Sequence, residues 1–224
     1  MLEQLTISEL LDLKETIAAC AFEGCVYPWE VLAKIKESIL KIGATLSEEE
    51  YNRVGEDIWI AKSAKVAPSA SINGPTIIGK DAEVRHCAFI RGSALVGEGA
   101  VVGNSTELKN VILFNKVQVP HYNYVGDSIL GYKSHMGAGS ITSNVKSDKT
   151  LVKVHAGEET IETNLKKFGA ILGDHVEVGC NSVLNPGSVI GRNSNVYPLS
   201  GVRGFIPAGS IYKKVGEVAT KKNF

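Results

Sequence analysis

The side chains best suited to acid–base, nucleophilic or metal chemistry are five histidines and four cysteines. The histidines are all widely spaced, which indicates no metal site; they are His86, His121, His135, His155 and His175. The cysteines form no Cys-x-x-Cys pair and are too scattered for a disulfide framework or a structural zinc site; they are Cys20, Cys25, Cys87 and Cys180. This cysteine usage favours a reducing, cytoplasmic compartment.

Charge and hydropathy exclude several classes of partner. Lys and Arg together number 24, as do Asp and Glu, so the formal net charge is zero. A nucleic-acid or membrane-surface partner would favour a basic excess, so any phosphate recognition must be local. The amino terminus lacks the pattern of a signal peptide, and no stretch reaches the roughly 18 apolar residues of a membrane span. We expect a soluble, unprocessed protein.

The first segment, residues 1–56, has helical patterning. Thr6–Glu9 and Ser47–Glu50 have the spacing of capping boxes, and between them a helix is predicted to start at Pro28 and to be capped by Gly43. The apolar faces of these helices need a partner surface. We expect them to pack on one another and to cover the first rung of the fold that follows; a dedicated partner-binding module is the alternative.

After Asp57 the apolar period becomes six. Branched residues recur at this spacing in the order Ile60, Val66, Ile72, Ile78, Val84, Ile90, Val96, Val102 and Leu108. Four positions after most of them stands a small residue; these are Ala64, Ala70, Thr76, Ala82, Ala88, Ala94, Ala100 and Thr106. One large and one small inward residue per six predicts a parallel β-helix with three short flat sides, and the fold class is therefore all-β.

The six-residue register continues with two interruptions. It passes through Val125, slips by one residue to Leu130, and is lost between residues 143 and 167 before it resumes at Leu172. The interruption holds two β-rich runs around a short turn and predicts a hairpin-like projecting loop, and loops of this length are usually functional. We expect a β-helix domain over 57–212 and a C-terminal tail over 213–224.

The chain resembles the hexapeptide-repeat acyltransferases, and it is most similar to the acetyltransferase half of the bifunctional enzymes that acetylate glucosamine 1-phosphate and then form UDP-N-acetylglucosamine. The resemblance rests on His121-Tyr122-Asn123-Tyr124-Val125-Gly126-Asp127, followed at the family's separation by Met136-Gly137-Ala138-Gly139-Ser140-Ile141-Thr142. It covers roughly residues 58–211 and not the helical start. It implies a left-handed β-helix, a homotrimer with active sites between subunits, and acetyl-CoA as co-substrate.

The resemblance also assigns the site residues. It implies that His121 is the general base, because a sugar amine must lose a proton as it attacks a thioester. It places the acceptor and its phosphate against Arg91, Lys109, Tyr124, His135 and Lys167, and the acyl carrier against Ala138, Asn144 and Cys180. A backbone N–H of Gly137 to Gly139 would stabilise the oxyanion, and Lys213 and Lys214 would meet the nucleotide phosphates of coenzyme A.

Two departures from the family pattern affect the acceptor. His135 stands where the family has asparagine, and Val145 where it has an aromatic residue. No nucleotidyltransferase signature precedes the β-helix, so we expect no nucleotide-sugar synthesis from this chain alone. Two alternatives remain open: a non-catalytic β-helix that serves as an assembly or regulatory subunit of a nucleotidyltransferase, and a zinc carbonic anhydrase built on the same fold, which the widely spaced histidines disfavour.

Overall fold

The computed structural model describes residues 2–221, and short strands make up most of its regular secondary structure. Ile58 pairs with Thr76, and Thr76 pairs with Ala94, so a full rung takes 18 residues. Each rung has three flat sides, and the strands of successive rungs pair in parallel. This stacking satisfies the backbone N–H and C=O groups of each strand through its two neighbours.

The first side consists of β2 (Ile58–Ala61), β5 (Thr76–Ile78), β8 (Ala94–Val96), the second halves of β10 (Glu107–Leu113) and β12 (Tyr124–Leu130), β17 (Ala170–Leu172), β20 (Ser188–Ile190) and β23 (Phe205–Ile206). The second side consists of β3 (Lys65–Val66), β6 (Glu83–Val84), β9 (Val101–Asn104), β11 (Gln118–His121), β13 (His135–Met136), β18 (Glu177–Val178), β21 (Asn195–Val196) and β24 (Ser210–Lys214). The third side consists of β4 (Ser71–Ile72), β7 (Phe89–Ile90), the first halves of β10 and β12, β14 (Ile141–Thr142), β19 (Val183–Leu184) and β22 (Gly201–Val202).

The predicted inward residues form the core of the β-helix. Every one of them from Ile78 to Val202 is 3% exposed or less, whereas Val66 and Ile72 of the first rung are half-buried. Burying each of these branched side chains contributes roughly 1.5–3 kcal/mol. Small polar residues at the inward corners bond to the backbone, as the Thr106 hydroxyl does to the Val119 carbonyl at 2.9 Å. The interior therefore follows directly from the six-residue pattern.

The irregularities of the β-helix fall at one corner, between the third and first sides, which we call the third corner. The spacing of inward residues across it shortens from six to five at Leu108–Leu113 as well as at the predicted slip, Val125–Leu130, and to four at Val202–Ile206, so three rungs are shortened and not one. In the first two of these rungs, Asn110 and Asp127 turn the corner with φ of 54° and 49°, a conformation that Asn and Asp tolerate. The long insertion after Thr142 leaves from the same corner.

The amino-terminal segment is less helical than predicted. It contains α1 (Ile7–Leu10), α2 (Ile35–Gly43) and single turns of 3-10 helix at Leu2–Leu5, Leu13–Glu15, Ala19–Phe22 and Pro28–Val31. The Thr6 side chain bonds to the Glu3 carbonyl instead of capping α1, and Ser47–Glu50 forms a turn into β1 (Tyr51–Gly55), which pairs antiparallel with β2. Such short helices are stable only through tertiary packing, and here they pack against the rungs of the β-helix.

This segment covers more than the first rung. Gly43 lies against Trp59 of that rung, so closely that a Cβ at Gly43 would lie 2.5 Å from the indole ring. Further along, Phe22 packs edge-on against Phe114, and Trp29 packs at 5.9 Å from Phe168. The segment therefore lies lengthwise along the β-helix and fixes several rungs at once.

A buried carboxylate fastens the start of the segment to the later rungs. Asp174 accepts hydrogen bonds from the backbone N–H groups of Asp12 and Tyr132, both at 2.8 Å, and pairs with Arg192 at 3.1 Å. Burial raises the pKa of Asp174 above its ordinary value, although these donors favour the charged form.

The insertion between residues 143 and 167 contains the predicted hairpin, β15 (Val152–Ala156) and β16 (Glu159–Leu165). Val152, Val154 and Ala156 are fully buried, so one face of the hairpin lies on the later rungs while the other face meets solvent. The segment predicted as a C-terminal tail begins inside β24, and β25 (Glu217–Thr220) folds back on that strand. Residues 222–224 of that prediction lie outside the described residues.

Candidate functional site

His121 lies at the corner between the second and third sides, which we call the second corner. Its backbone N–H donates to the Asn123 side chain at 3.0 Å, and its carbonyl accepts from the Gly139 N–H at 3.0 Å. Asn123 is itself buried and donates to the Gly137 and Ser140 carbonyls. The backbone of His121 is thus held on both sides while its imidazole is exposed. A side chain in this position can meet a substrate without moving the fold.

Ala138 and Cys180 lie on the same corner in the following rungs, joined by a hydrogen bond from the Asn181 N–H to the Ala138 carbonyl at 2.9 Å. The Gly137 N–H donates to Val178, and the Gly139 N–H donates to His121. Both glycine amides are therefore occupied. Of the three candidate oxyanion donors, the Ala138 N–H is the one that the described hydrogen bonds leave available.

A groove of about 490 Å³ runs along the second side beside this corner. It is lined in part by His135, Gly137 and Cys180. The His135 ring pairs with Glu177 at 2.8 Å. A Cβ at Gly137 would lie 2.7 Å from the Cys180 backbone nitrogen, so only glycine fits the floor of the groove.

At the third corner, Asp127 is the centre of a polar network and is only 4% exposed. Its carboxylate accepts from Lys109 Nζ at 3.1 Å and from Asn110 Nδ2 at 3.0 Å, and Asn144 Nδ2 bonds to its other oxygen. Asn110 also donates to the Leu32 carbonyl at 3.1 Å. This network ties two shortened rungs, the start of the insertion and the amino-terminal segment together.

Tyr124 extends this network on the third side. Its hydroxyl accepts a hydrogen bond from Asn144 Nδ2 at 3.3 Å and lies over Gly126, where a Cβ would approach it to 2.5 Å. Burial, followed by the charges of Asp127 and Glu107, raises the pKa of Tyr124 above its ordinary value. The hydroxyl therefore keeps its proton near neutral pH and can donate it in a hydrogen bond.

Arg91 and Lys109 both line a cavity of about 220 Å³ at the third corner. Arg91 pairs with Glu107 at 2.7 Å, and Lys109 pairs with Asp127, so these two predicted phosphate ligands already have carboxylate partners. The exposed Lys167 is not among the residues that line this cavity. Glu107 and Asp127 were not among the predicted site residues.

The structure therefore divides the predicted residues between two corners of one chain. His121, Ala138 and Cys180 lie at the second corner, and His135 lies beside them. The acceptor residues Arg91, Lys109 and Tyr124 lie at or next to the third corner. Asn144, which was predicted to contact the acyl carrier, lies with them. Lys213 and Lys214, at the end of β24, pair with Glu217. Among residues 2–221 no cluster of three or more His, Cys, Asp and Glu side chains could hold a metal ion.

Comparison with known proteins decides the family. The family model of the GMPPB C-terminal domain matches residues 72–198, more than half of the chain. The chain belongs to this family. The predicted left-handed β-helix of hexapeptide repeats is confirmed, and so is the resemblance to acetyltransferases built on that fold.

Curated relatives extend the likeness. The bifunctional protein GlmU of Methanococcus maripaludis is 35% identical over 199 residues, which are 88% of this chain and 48% of that protein. The bifunctional sugar-1-phosphate nucleotidylyltransferase/acetyltransferase of Sulfurisphaera tokodaii is 33% identical over 112 residues, 50% of this chain and 28% of that protein. The chain thus spans about half, or less, of the length of these relatives.

A crystal structure of a hexapeptide transferase family protein from Anaplasma phagocytophilum aligns over 74% of this chain and 80% of that one, with 17% identity and a TM-score of 0.43.

Within residues 2–221, no helix combines the length and the apolar character needed to cross a membrane.

Proposed function

We propose that this chain is an acetyl-CoA-dependent N-acetyltransferase that acts on an amino-sugar phosphate such as glucosamine 1-phosphate. The observation that carries the proposal is the exposed His121 imidazole on a backbone fixed at both its N–H and its carbonyl. Three residues after His121, Tyr124 is joined through Asn144 to the Asp127 network. The proposed base and the proposed acceptor site thus lie on consecutive corners.

In the proposed reaction, the amine nitrogen of the sugar attacks the thioester carbonyl carbon of acetyl-CoA. The His121 imidazole accepts the proton that the nitrogen loses, which leaves a tetrahedral intermediate with a negative oxygen. The Ala138 N–H is the backbone donor for that oxygen. Collapse of the intermediate breaks the carbon–sulfur bond and leaves the acetyl group on the amine. The protonated His121 returns its proton to the departing sulfur, so coenzyme A leaves as the thiol and the imidazole is again neutral.

The acceptor's phosphate would bind at the third corner. Arg91 presents a planar fork that matches phosphate oxygens, and its exposed pair with Glu107 is weak enough to open for a ligand. Lys109 keeps Asp127 as a partner and adds positive charge at the same cavity. The protonated Tyr124 hydroxyl would donate to the sugar ring, and Lys167 would reach the phosphate from the insertion.

Acetyl-CoA would lie against Ala138, Asn144 and Cys180. The groove beside Cys180 supports this part of the proposal because its glycine floor leaves room for a thin chain such as pantetheine. Transfer is direct, so Cys180 packs against the carrier and forms no acyl-enzyme. The Sulfurisphaera relative is named as an acetyltransferase, which supports transfer of an acetyl group.

A homotrimer would bring the second corner of one subunit to the third corner of the next and complete the site. Large apolar side chains exposed on the third side and second corner support such an assembly; they are Phe89, Tyr122, Val183, Tyr197 and Leu199. Light scattering of the purified protein at three times the chain mass would agree with this arrangement, and a monomeric mass would contradict it.

A second candidate is a non-catalytic β-helix that assembles or regulates a nucleotidyltransferase. The ion pairs favour it, because Arg91 and Lys109 are each satisfied within the chain and so could have a purely structural role. This candidate predicts no turnover of any acceptor.

An acceptor panel decides between the two candidates. Thiol release from acetyl-CoA is measured with glucosamine 1-phosphate and galactosamine 1-phosphate, with glucose 1-phosphate as the control that lacks the amine. The proposal predicts thiol release with at least one amino-sugar phosphate and none with the control. Absence of turnover with every amino-sugar phosphate would overturn it.

A further inference from the structure

One of the positively charged side chains that line the cavity at the third corner comes from outside the hexapeptide repeats. The cavity is lined by Lys36, Arg91 and Lys109 together with main chain and small side chains of the first rungs. Lys36 lies in the first turn of α2, next to Ile35, which is fully buried against the β-helix. The amino-terminal segment therefore forms one wall of the cavity.

Charge balance makes Lys36 the distinctive member of this set. Arg91 is neutralised by Glu107, and Lys109 is neutralised by Asp127. Within residues 2–221, Lys36 makes no ion pair with a carboxylate, whereas Lys41 on the same helix pairs with Glu37 at 2.8 Å. Lys36 therefore brings to the cavity a positive charge that no carboxylate among the described residues offsets, and this charge adds to that of Arg91, whose exposed pair with Glu107 can open for a ligand.

The position of Lys36 is fixed by packing. Ile35, Ile39 and Ile42 of α2 are buried on the rungs, and the Leu32 carbonyl just before the helix accepts a hydrogen bond from Asn110. Asn110 also lines the cavity. Helix α2, which carries Lys36, is therefore held against the third corner through Asn110, the neighbour of Lys109 in the cavity lining.

We infer that Lys36 is a specificity-determining residue that binds the phosphate group of the acceptor, at an anion site formed between α2 and the third corner of the β-helix. This inference rests on the proposed function for the identity of the ligand. The existence of the anion site does not depend on acetyl transfer. Removing Lys36 should weaken phosphate recognition and leave the chemistry of His121 unchanged.

The test uses Lys36→Gln in the full chain, with Lys41→Gln as a control that removes a lysine from the same helix away from the cavity. Titration calorimetry measures the dissociation constant of glucose 1-phosphate, which carries the phosphate but no amine. We expect Lys36→Gln to raise it about tenfold, as for the loss of one charge-assisted hydrogen bond, and Lys41→Gln to leave it unchanged. In the acetylation assay, Lys36→Gln should raise the KM for glucosamine 1-phosphate by a similar factor at constant kcat.

Equal binding by the wild type and Lys36→Gln, or no binding by the wild type, would overturn the inference. Weaker binding in Lys36→Gln without acetyl transfer by any form of the protein would support the anion site and refute the proposed function. Circular dichroism of both variants reports whether α2 remains folded, and Lys36→Arg should restore binding if the charge is what matters.

Discussion

The second and third corners of this β-helix are built from the same repeat but differ in regularity and in the side chains that they bring together. At the second corner the backbone holds His121, and the rungs keep their six-residue spacing. At the third corner three rungs are shortened, an insertion leaves the β-helix, and Asp127 joins side chains of several rungs. A regular corner can present one reactive side chain, whereas a polar ligand requires groups gathered from several segments.

The largest effect on stability is expected at Asp127. Replacing it with alanine leaves the Lys109 ammonium without its carboxylate partner and removes one acceptor each from Asn110 and Asn144, so we predict a loss of about 3 kcal/mol in the free energy of unfolding. Urea denaturation measures it. Asp148→Ala, which removes an exposed carboxylate that bonds to Thr150 and Lys146 within the insertion, is the matched control and should lose less than about 1 kcal/mol. Equal stability of the two variants would show that the network at the third corner is not structural.

At the second corner, we expect the free energy of unfolding to depend on close packing of the backbone. A Cβ at Gly103 would lie 1.6 Å from the Pro120 carbonyl oxygen, directly before His121, and neither atom belongs to a flexible side chain. We therefore expect Gly103→Ala to cost about 2–3 kcal/mol in urea denaturation. Gly209→Ala is a control, because no atom lies within 4 Å of a Cβ at that position. Its positive φ still disfavours alanine, so the control should lose less than Gly103→Ala. If the two losses are equal, the close approach does not hold this corner.

A smaller effect is expected from Tyr124→Phe, which removes only the hydroxyl. Asn144 keeps Asp127 as an acceptor, so stability should fall by less than about 1 kcal/mol while the acceptor KM rises about threefold to tenfold. Because the pKa of Tyr124 is raised, its ionisation lies above about pH 10. The wild type and the variant should therefore have pH–rate profiles of the same shape between about pH 6 and pH 9. A step that disappears in Tyr124→Phe would contradict this.

Much of the regular structure was predictable from the sequence. The inward ladder from Ile78 to Val202 and the hairpin of β15 and β16 follow from local patterns, because each six-residue unit repeats the same environment. The shortened corner between Leu108 and Leu113 was overlooked, although the five-residue spacing is visible in the sequence.

The site was less predictable because its contacts join distant segments. Lys109 and Asp127 are 18 positions apart, about one rung, so a comparison of charges at that spacing would have indicated their pairing. No such signal exists for Lys36, whose helix lies outside the repeat. The lengthwise course of the amino-terminal segment, fastened by Asp174 to Asp12, likewise depends on packing that periodicity does not describe.

The most direct test of the division between the corners is steady-state kinetics of His121→Ala with glucosamine 1-phosphate and acetyl-CoA. Because the imidazole is exposed and only the backbone of His121 makes structural hydrogen bonds, the variant should fold normally. We predict that kcat falls about 10²–10⁴-fold while the acceptor KM stays within about twofold. An unchanged kcat, or a loss confined to the acceptor KM, would contradict the assignment of the chemistry to the second corner.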